Sequence, residues 1–487
     1  MKKNNAFRRA AALMAALSIT VSLAAPAFAD TYYIDYGDIT ITKNEDGSQT
    51  IEQGGEKWKD KAGEETIITT SNTVITTLES DLEGPAAEDS DFGPVVEDNY
   101  QPVQPESTEE SEDADRQESA DQQAAPAAAP ADTTPVNKKD DGFWGNTITV
   151  INNFADKVLN LTLKDVKIDV SDTGGDNFEF EDDQRGKAAL SVQGKGNVEI
   201  ELDGNNELKS GKGRAGLEKT STGTLTLKDD KEAGSLTATG GTSAAGIGGD
   251  WKGSGENITI TGGTVDATGG YGSAGIGGGK EGKGENITIT GGTVNATSND
   301  GAGIGGGLLG SGENIAITGG TVNATGTDGA GIGGGNGGVG KNITITGGTV
   351  TAAGGFGNAG IGGGNGSDGE NITITGGSVT ATGGYGGGAG IGGGENGNGE
   401  DITINGGKVN ASGAYGGAGI GGGVNGIGSK VTVSGAAQVT ATATGSGPDW
   451  SGVGTGATIG NGGSKTPDGP VDGKEIQADI SHLTPGY

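Results

Sequence analysis

The stretch "GENITITGGTVNATSNDGAGIGGG", Gly284 to Gly307, decides how the rest of the chain is read. Apolar residues alternate with polar ones in "NITI" and again in "TVNA", and a single isoleucine stands among glycines in "AGIGGG". All three segments recur. Ile247, Ile276, Ile304, Ile332, Ile361, Ile391 and Ile420 centre the AGIG segment at spacings of 28 to 30 residues. Ile258 to Val431 and Val265 to Val439 mark the other two segments with the same period. Alternation signals short strands, and intervening glycine signals corners. Three strands and three corners per unit, with no helix-period segment, describe one coil of a parallel β-helix. One coil cannot bury its own inner face, so neighbouring coils must stack.

Composition agrees. Of 487 residues 105 are Gly, 31% are hydrophobic and 4% aromatic, too few large side chains for a globular core built on Leu and Phe. A Gly-X-Y period is missing, which excludes collagen. Cysteine is absent, which removes disulfides, thiolate catalysis and Cys metal sites. The formal charge of −33 repels nucleic acid and anionic membranes, so neither is an expected partner.

Residues 1–29 read as a secretory signal: basic Lys2, Lys3, Arg8 and Arg9, an apolar Ala10 to Ala25, then Ala27-Phe28-Ala29 before the cut. The expected location is therefore extracellular, free or held at the cell surface, with no membrane insertion. Residues 30–80 alternate as strands and read as the first coil or cap of the solenoid. Between Asp81 and Asp121 stand 15 acidic residues against Arg116 alone, followed by a Pro/Ala-rich run; residues 81–141 read as a disordered insertion. The solenoid then occupies 142–460, with regular repeats over 245–441 and a tail over 461–487.

Side chains alternate across a strand, so each inward residue has outward neighbours that repeat along the rod. Beside Ile276, Ile361 and Ile391 these are Gly275 and Gly277, Gly360 and Gly362, and Gly390 and Gly392, which predicts a face of bare backbone. Tyr271, Phe356, Tyr385 and Tyr415 fall in one corner column beside it. Aromatic rings next to a bare face suit carbohydrate, whose C–H faces pack on rings while its hydroxyls meet polar groups. The "TIT" pairs predict a threonine face of the kind ice-binding solenoids use, or simply well-chosen exposed strand residues. The Asn that opens "NITI" predicts an inward or corner amide ladder that satisfies turn backbone groups. Glu285, Glu313, Glu370 and Glu400 stack in the next column, interrupted by Lys341. Like charges at strand spacing need solvent or a bridge, and Ca2+ is a candidate bridge; otherwise no cofactor is expected.

An enzyme of this shape would need clustered carboxylates with an Arg or Lys base. The carboxylates of the regular repeats are periodic, no Arg follows Arg214, and the single histidine is His482 in the tail. Residues 160–240 break the pattern and hold Asp165, Asp169, Asp176, Asp182, Asp183, Arg185 and Arg214, the place to look for catalysis.

"GKAALSVQGKGNVEIELDGNNELKSGKGRAGLEK" followed by tandem "GAGIGGG" and "GENITITGGTV" resembles the Gly-rich β-helix repeats of secreted and surface proteins of Gram-positive anaerobes, described as carbohydrate-binding-domain or adhesin-like proteins. The resemblance covers roughly residues 142–445. It implies a right-handed parallel β-helix and glycan binding. The expected function is thus a non-catalytic exported protein that binds polysaccharide or glycan. The alternatives are a structural or adhesin-like spacer with a protein partner, a polysaccharide lyase, or an ice-binding protein.

Overall fold

The computed structural model describes residues 30–63, 65–70, 136–139, 141–175, 184–231, 233–445 and 452–476. The signal segment, most of the acidic insertion, Asp176, Asp182, Asp183 and His482 lie outside these residues.

Three strands repeat in each coil. In the coil that opens at Ile276 they are Ile276–Gly277, Gly284–Ile289 and Thr293–Asp300. Each pairs in parallel with its equivalent one coil on: Ile276 with Ile304, Ile287 with Ile315, and Val294 with Val322. The structure is an all-β parallel solenoid.

The core follows from the register. Ile276, Ile287, Ile289 and Val294 are buried, as are their counterparts in successive coils as far as Ile420, Ile402, Ile404 and Val409. Alanine takes the fifth inward place, at Ala267, Ala296, Ala324, Ala352 and Ala381. β-branched residues are stiff and pack well on a pleated surface, so a column of identical isoleucines can interlock from coil to coil.

Corners are set by backbone conformation. Asn257, Asn286, Asn314, Asn342 and Asn371 all have φ between 51° and 56°, the left-handed region that Asn tolerates better than most residues. Each amide then donates to the one a coil before: Asn286 to Asn257 at 3.1 Å, Asn314 to Asn286 at 3.2 Å, Asn342 to Asn314 at 2.9 Å and Asn371 to Asn342 at 2.7 Å. The expected amide ladder is present. It ends where Asp401 and Lys430 take the same conformation and pair at 3.3 Å.

Strands within residues 30–70 pair with strands that follow residue 146. Ile39–Lys43 pairs in parallel with Ile148–Asn152, and Thr66–Thr69 with Val158–Lys164. The antiparallel strands Gln49–Gln53 and Glu56–Asp60 extend the Ile39 sheet and close its end. At the other end, Glu475 accepts the N–H groups of Thr458 and Ile459 at 2.6 and 3.1 Å.

The N-terminal cap contains a buried carboxyl. Asp60 is 1% exposed, and accepts hydrogen bonds from Tyr32 Oη at 2.8 Å and Thr66 Oγ1 at 2.6 Å. Burial pushes its pKa up to about 6. The unfolded value is near 4, so the folded chain holds this proton more tightly. Its contribution to stability is complete below about pH 4 and is lost as pH rises through about 6, a change on the order of 3 kcal/mol. Amide exchange of Gln49–Asp60 should therefore quicken between pH 4 and pH 7, after correction for intrinsic rates. Asp60→Asn should remove that dependence; an unchanged pH profile in the variant would refute the assignment.

Candidate functional site

The AGIG segment departs from the sequence reading. Gly275, Gly277, Gly360, Gly362, Gly390 and Gly392 are buried. The reason lies in the main chain. Ala274 N–H donates to the Gly278 carbonyl at 2.9 Å, and Ala302 donates to Gly306, Ala359 to Gly363 and Ala389 to Gly393 at 2.9 to 3.0 Å. Each A-G-I-G-G is thus a closed loop that pushes its isoleucine into the core. Its flanking glycines touch backbone: a Cβ on Gly275 would stand 2.7 Å from the Gly303 carbonyl oxygen. Gly277, Gly362 and Gly392 have φ of 131° to 133°, which L side chains rarely adopt. These glycines are needed for packing between coils, and the expected bare face is not there to bind anything.

The corner before the closed loop is different. Phe356 and Tyr385 are exposed and Tyr415 is half-buried. Phe356 and Tyr385 have ring centroids 5.8 Å apart, and Tyr385 and Tyr415 are 4.1 Å apart at 61°. Three consecutive coils therefore present a continuous aromatic strip. Tyr271 does not join it: its strand neighbour is Asn299, and its ring lies 5.9 Å from Lys280 Nζ.

Polar groups border the strip. The side chains of Asn365 and Glu395 would meet a Cβ placed on Gly357, the residue after Phe356. Asn365 Nδ2 donates to Glu395 Oε2 at 3.1 Å, and Asn365 N–H donates to Asn358 Oδ1 at 2.7 Å. Burial raises the Glu395 carboxyl above its ordinary pKa. One coil on, Asn425 donates to Asn396 at 2.9 Å. Asn365 and Glu395 follow "GIGGG" in their coils, across the closed loop from Phe356 and Tyr385. The signal that could have found them is that shared position.

The glutamate column is bridged by lysine. Lys283 Nζ lies 3.1 Å from Glu285 and 3.6 Å from Glu313, and Lys341 lies 2.9 Å from Glu370. Its carboxylate partners hold Lys283 above its ordinary pKa. Glu400 pairs in register with Glu370 on one side and Ser429 on the other. Among the described residues no three His, Cys, Asp or Glu side chains are grouped to hold a metal ion.

Of the candidates for catalysis, Asp165 accepts the Asn205 N–H at 2.9 Å, and Asp169 lies 3.7 Å from both Lys139 and Lys209. Arg185 and Arg214 converge on Asp250, a residue the sequence did not single out, at 2.6 and 3.8 Å.

A family model described as a beta helix repeat matches six segments: residues 258–280, 287–308, 315–336, 343–365, 372–395 and 402–424. The chain is a parallel β-helix repeat protein. No curated protein and no solved structure matches it. Each matched segment of this β-helix repeat protein starts at the first inward isoleucine of "NITI" and ends one residue after "GGG". The aromatic strip, Asn365 and Glu395 lie inside the matched repeats. Asp250, Arg185 and Arg214 lie outside them.

Proposed function

We propose that this solenoid is an exported, non-catalytic glycan-binding protein that holds polysaccharide along the Phe356–Tyr385–Tyr415 strip. The observation that carries the reading is the strip itself. Large rings left partly in water, aligned over three coils and edged by amide and carboxyl groups, match a sugar's apolar face and its hydroxyl rim. Parallel coils repeat every ~4.8 Å, so a glycan lying along the rod meets rings in series. Export rests on the N-terminal sequence. The lysine-bridged, periodic carboxylates of the repeats favour binding over chemistry.

The competing reading is a spacer whose rings serve only to support each other, with a protein as partner. Affinity electrophoresis in gels containing pectin, soluble cellulose derivatives or mucin separates the two. Retardation by at least one polymer is expected for the native chain, with a loss of roughly tenfold or more in affinity in Tyr385→Ala/Tyr415→Ala. Retardation that the double variant retains in full would remove the strip from the account.

A further inference from the structure

The repeats are broken in one place in a way that builds a second pocket. Leu217 pairs in register with Ile247, so Glu218 stands opposite Gly248 and Lys219 takes the place that glycine fills in later coils. Both are nearly excluded from solvent, at 2% and 3% exposure. Asp250 likewise occupies the third glycine position of "GGG", which Gly279 fills one coil on. Charged side chains therefore replace glycine at three neighbouring positions of a loop that elsewhere has room for none.

Their surroundings hold them in place. Arg185 and Arg214, the two arginines among the described residues, reach Asp250 from two different coils. Arg214 also lies 3.3 Å from Glu218, which accepts from Ser191 at 3.3 Å. Lys219 Nζ donates to the Ser221 carbonyl at 2.7 Å, and burial pushes its pKa down to about 8. Beside this frame is a pocket of about 410 Å³ whose lining includes Lys219, Ser221, Thr222, Asp250, Ser254 and Glu256. That volume lies in the range of small-molecule sites, roughly 300–1,000 Å³. Ser221 is 7% exposed, and its buried Oγ has no hydrogen-bond partner among the described residues. A buried hydroxyl left unsatisfied is costly, which marks it as a group that a ligand would complete.

We propose that this pocket binds a single neutral sugar unit through adjacent hydroxyls. The charge pattern selects the class. An anion would meet the Glu256 carboxylate, Asp250 being already engaged by Arg185 and Arg214; a cation would meet the Lys219 ammonium. A pair of neighbouring hydroxyls both donates and accepts, so it can give to a carboxylate while receiving from Lys219 or Ser221. The site stands apart from the aromatic strip, uses none of its residues, and lies outside the matched repeat segments.

Saturation-transfer NMR on the full chain tests this with glucose, galactose, mannose, xylose and N-acetylglucosamine as neutral probes and glucuronate as the anionic one. At least one neutral sugar should receive saturation. Its affinity should fall roughly tenfold in Ser221→Ala and in Glu256→Gln. Glu256 is only half-buried, so the second variant is informative even if the first is less stable. The same titrations are run in the Tyr385→Ala/Tyr415→Ala background, where the strip cannot contribute, and the residual monosaccharide signal and its loss in the pocket variants should persist there, so failure of the strip and failure of the pocket give different results. No saturation of any neutral sugar, preference for glucuronate, or unchanged affinity in both pocket variants would overturn the proposal.

Discussion

Gly305→Ala is expected to cost about 4 kcal/mol or more and to lower the urea midpoint of the solenoid sharply. Gly305 has φ of +135°, outside the range an L side chain adopts without strain, and a Cβ there would overlap the Gly333 carbonyl oxygen. That oxygen cannot retreat. It accepts the Gly306 N–H at 3.0 Å and is part of the ladder joining consecutive coils. Alanine therefore combines backbone strain of about 1–3 kcal/mol with a damaged inter-coil bond. Gly366→Ala is the control. Gly366 also has positive φ, at +75°, but a Cβ there meets nothing within 4 Å. Its cost should be about 1 kcal/mol. Equal and small effects at both sites would refute the closed-loop geometry.

Ile332→Ala is expected to cost about 3–4 kcal/mol, and to divide the unfolding transition. Ile332 is fully buried and stacks between Ile304 and Ile361. Removing its side chain leaves a cavity in a column where the neighbours above and below are fixed by their own coils. A solenoid is held by nearest-neighbour interfaces, so a weak coil in the middle separates two cooperative blocks. Hydrogen exchange should then show the segments on either side of residue 332 opening with different free energies. Val439, half-buried near the end of the regular repeats, is the contrast: Val439→Ala should cost about 1 kcal/mol or less, with one transition kept.

The period made the inner columns legible. Ile276, Ile287 and Val294 differ in local context but share the 28-to-30-residue spacing, and spacing alone places them inside. The amide ladder was legible too, because Asn at a corner has a backbone reason to be there. The glycine loops were not. Alternation assumes an extended strand, and Ile276–Gly277 is two residues long within a loop closed by the Ala274–Gly278 bond. No periodicity argument reveals a hydrogen bond between positions four residues apart in a glycine run.

The candidate site was legible in part. Phe356, Tyr385 and Tyr415 fall in consecutive coils and form the strip, whereas the coils of Asn299 and Thr327 stand between Tyr271 and Phe356. Asn365 and Glu395 were missed because their approach to the rings depends on how two loops of one coil fold against each other. The pocket was missed for a related reason. Lys219 and Asp250 look like ordinary surface charges until the register shows that they replace glycine.

A glycan array probed side by side with the native chain and Tyr385→Ala/Tyr415→Ala tests the central claim most directly. The account predicts a defined set of glycans bound by the native chain and lost, or weakened roughly tenfold, in the variant. An array blank for the native chain, or the same glycans bound equally by both, would contradict it.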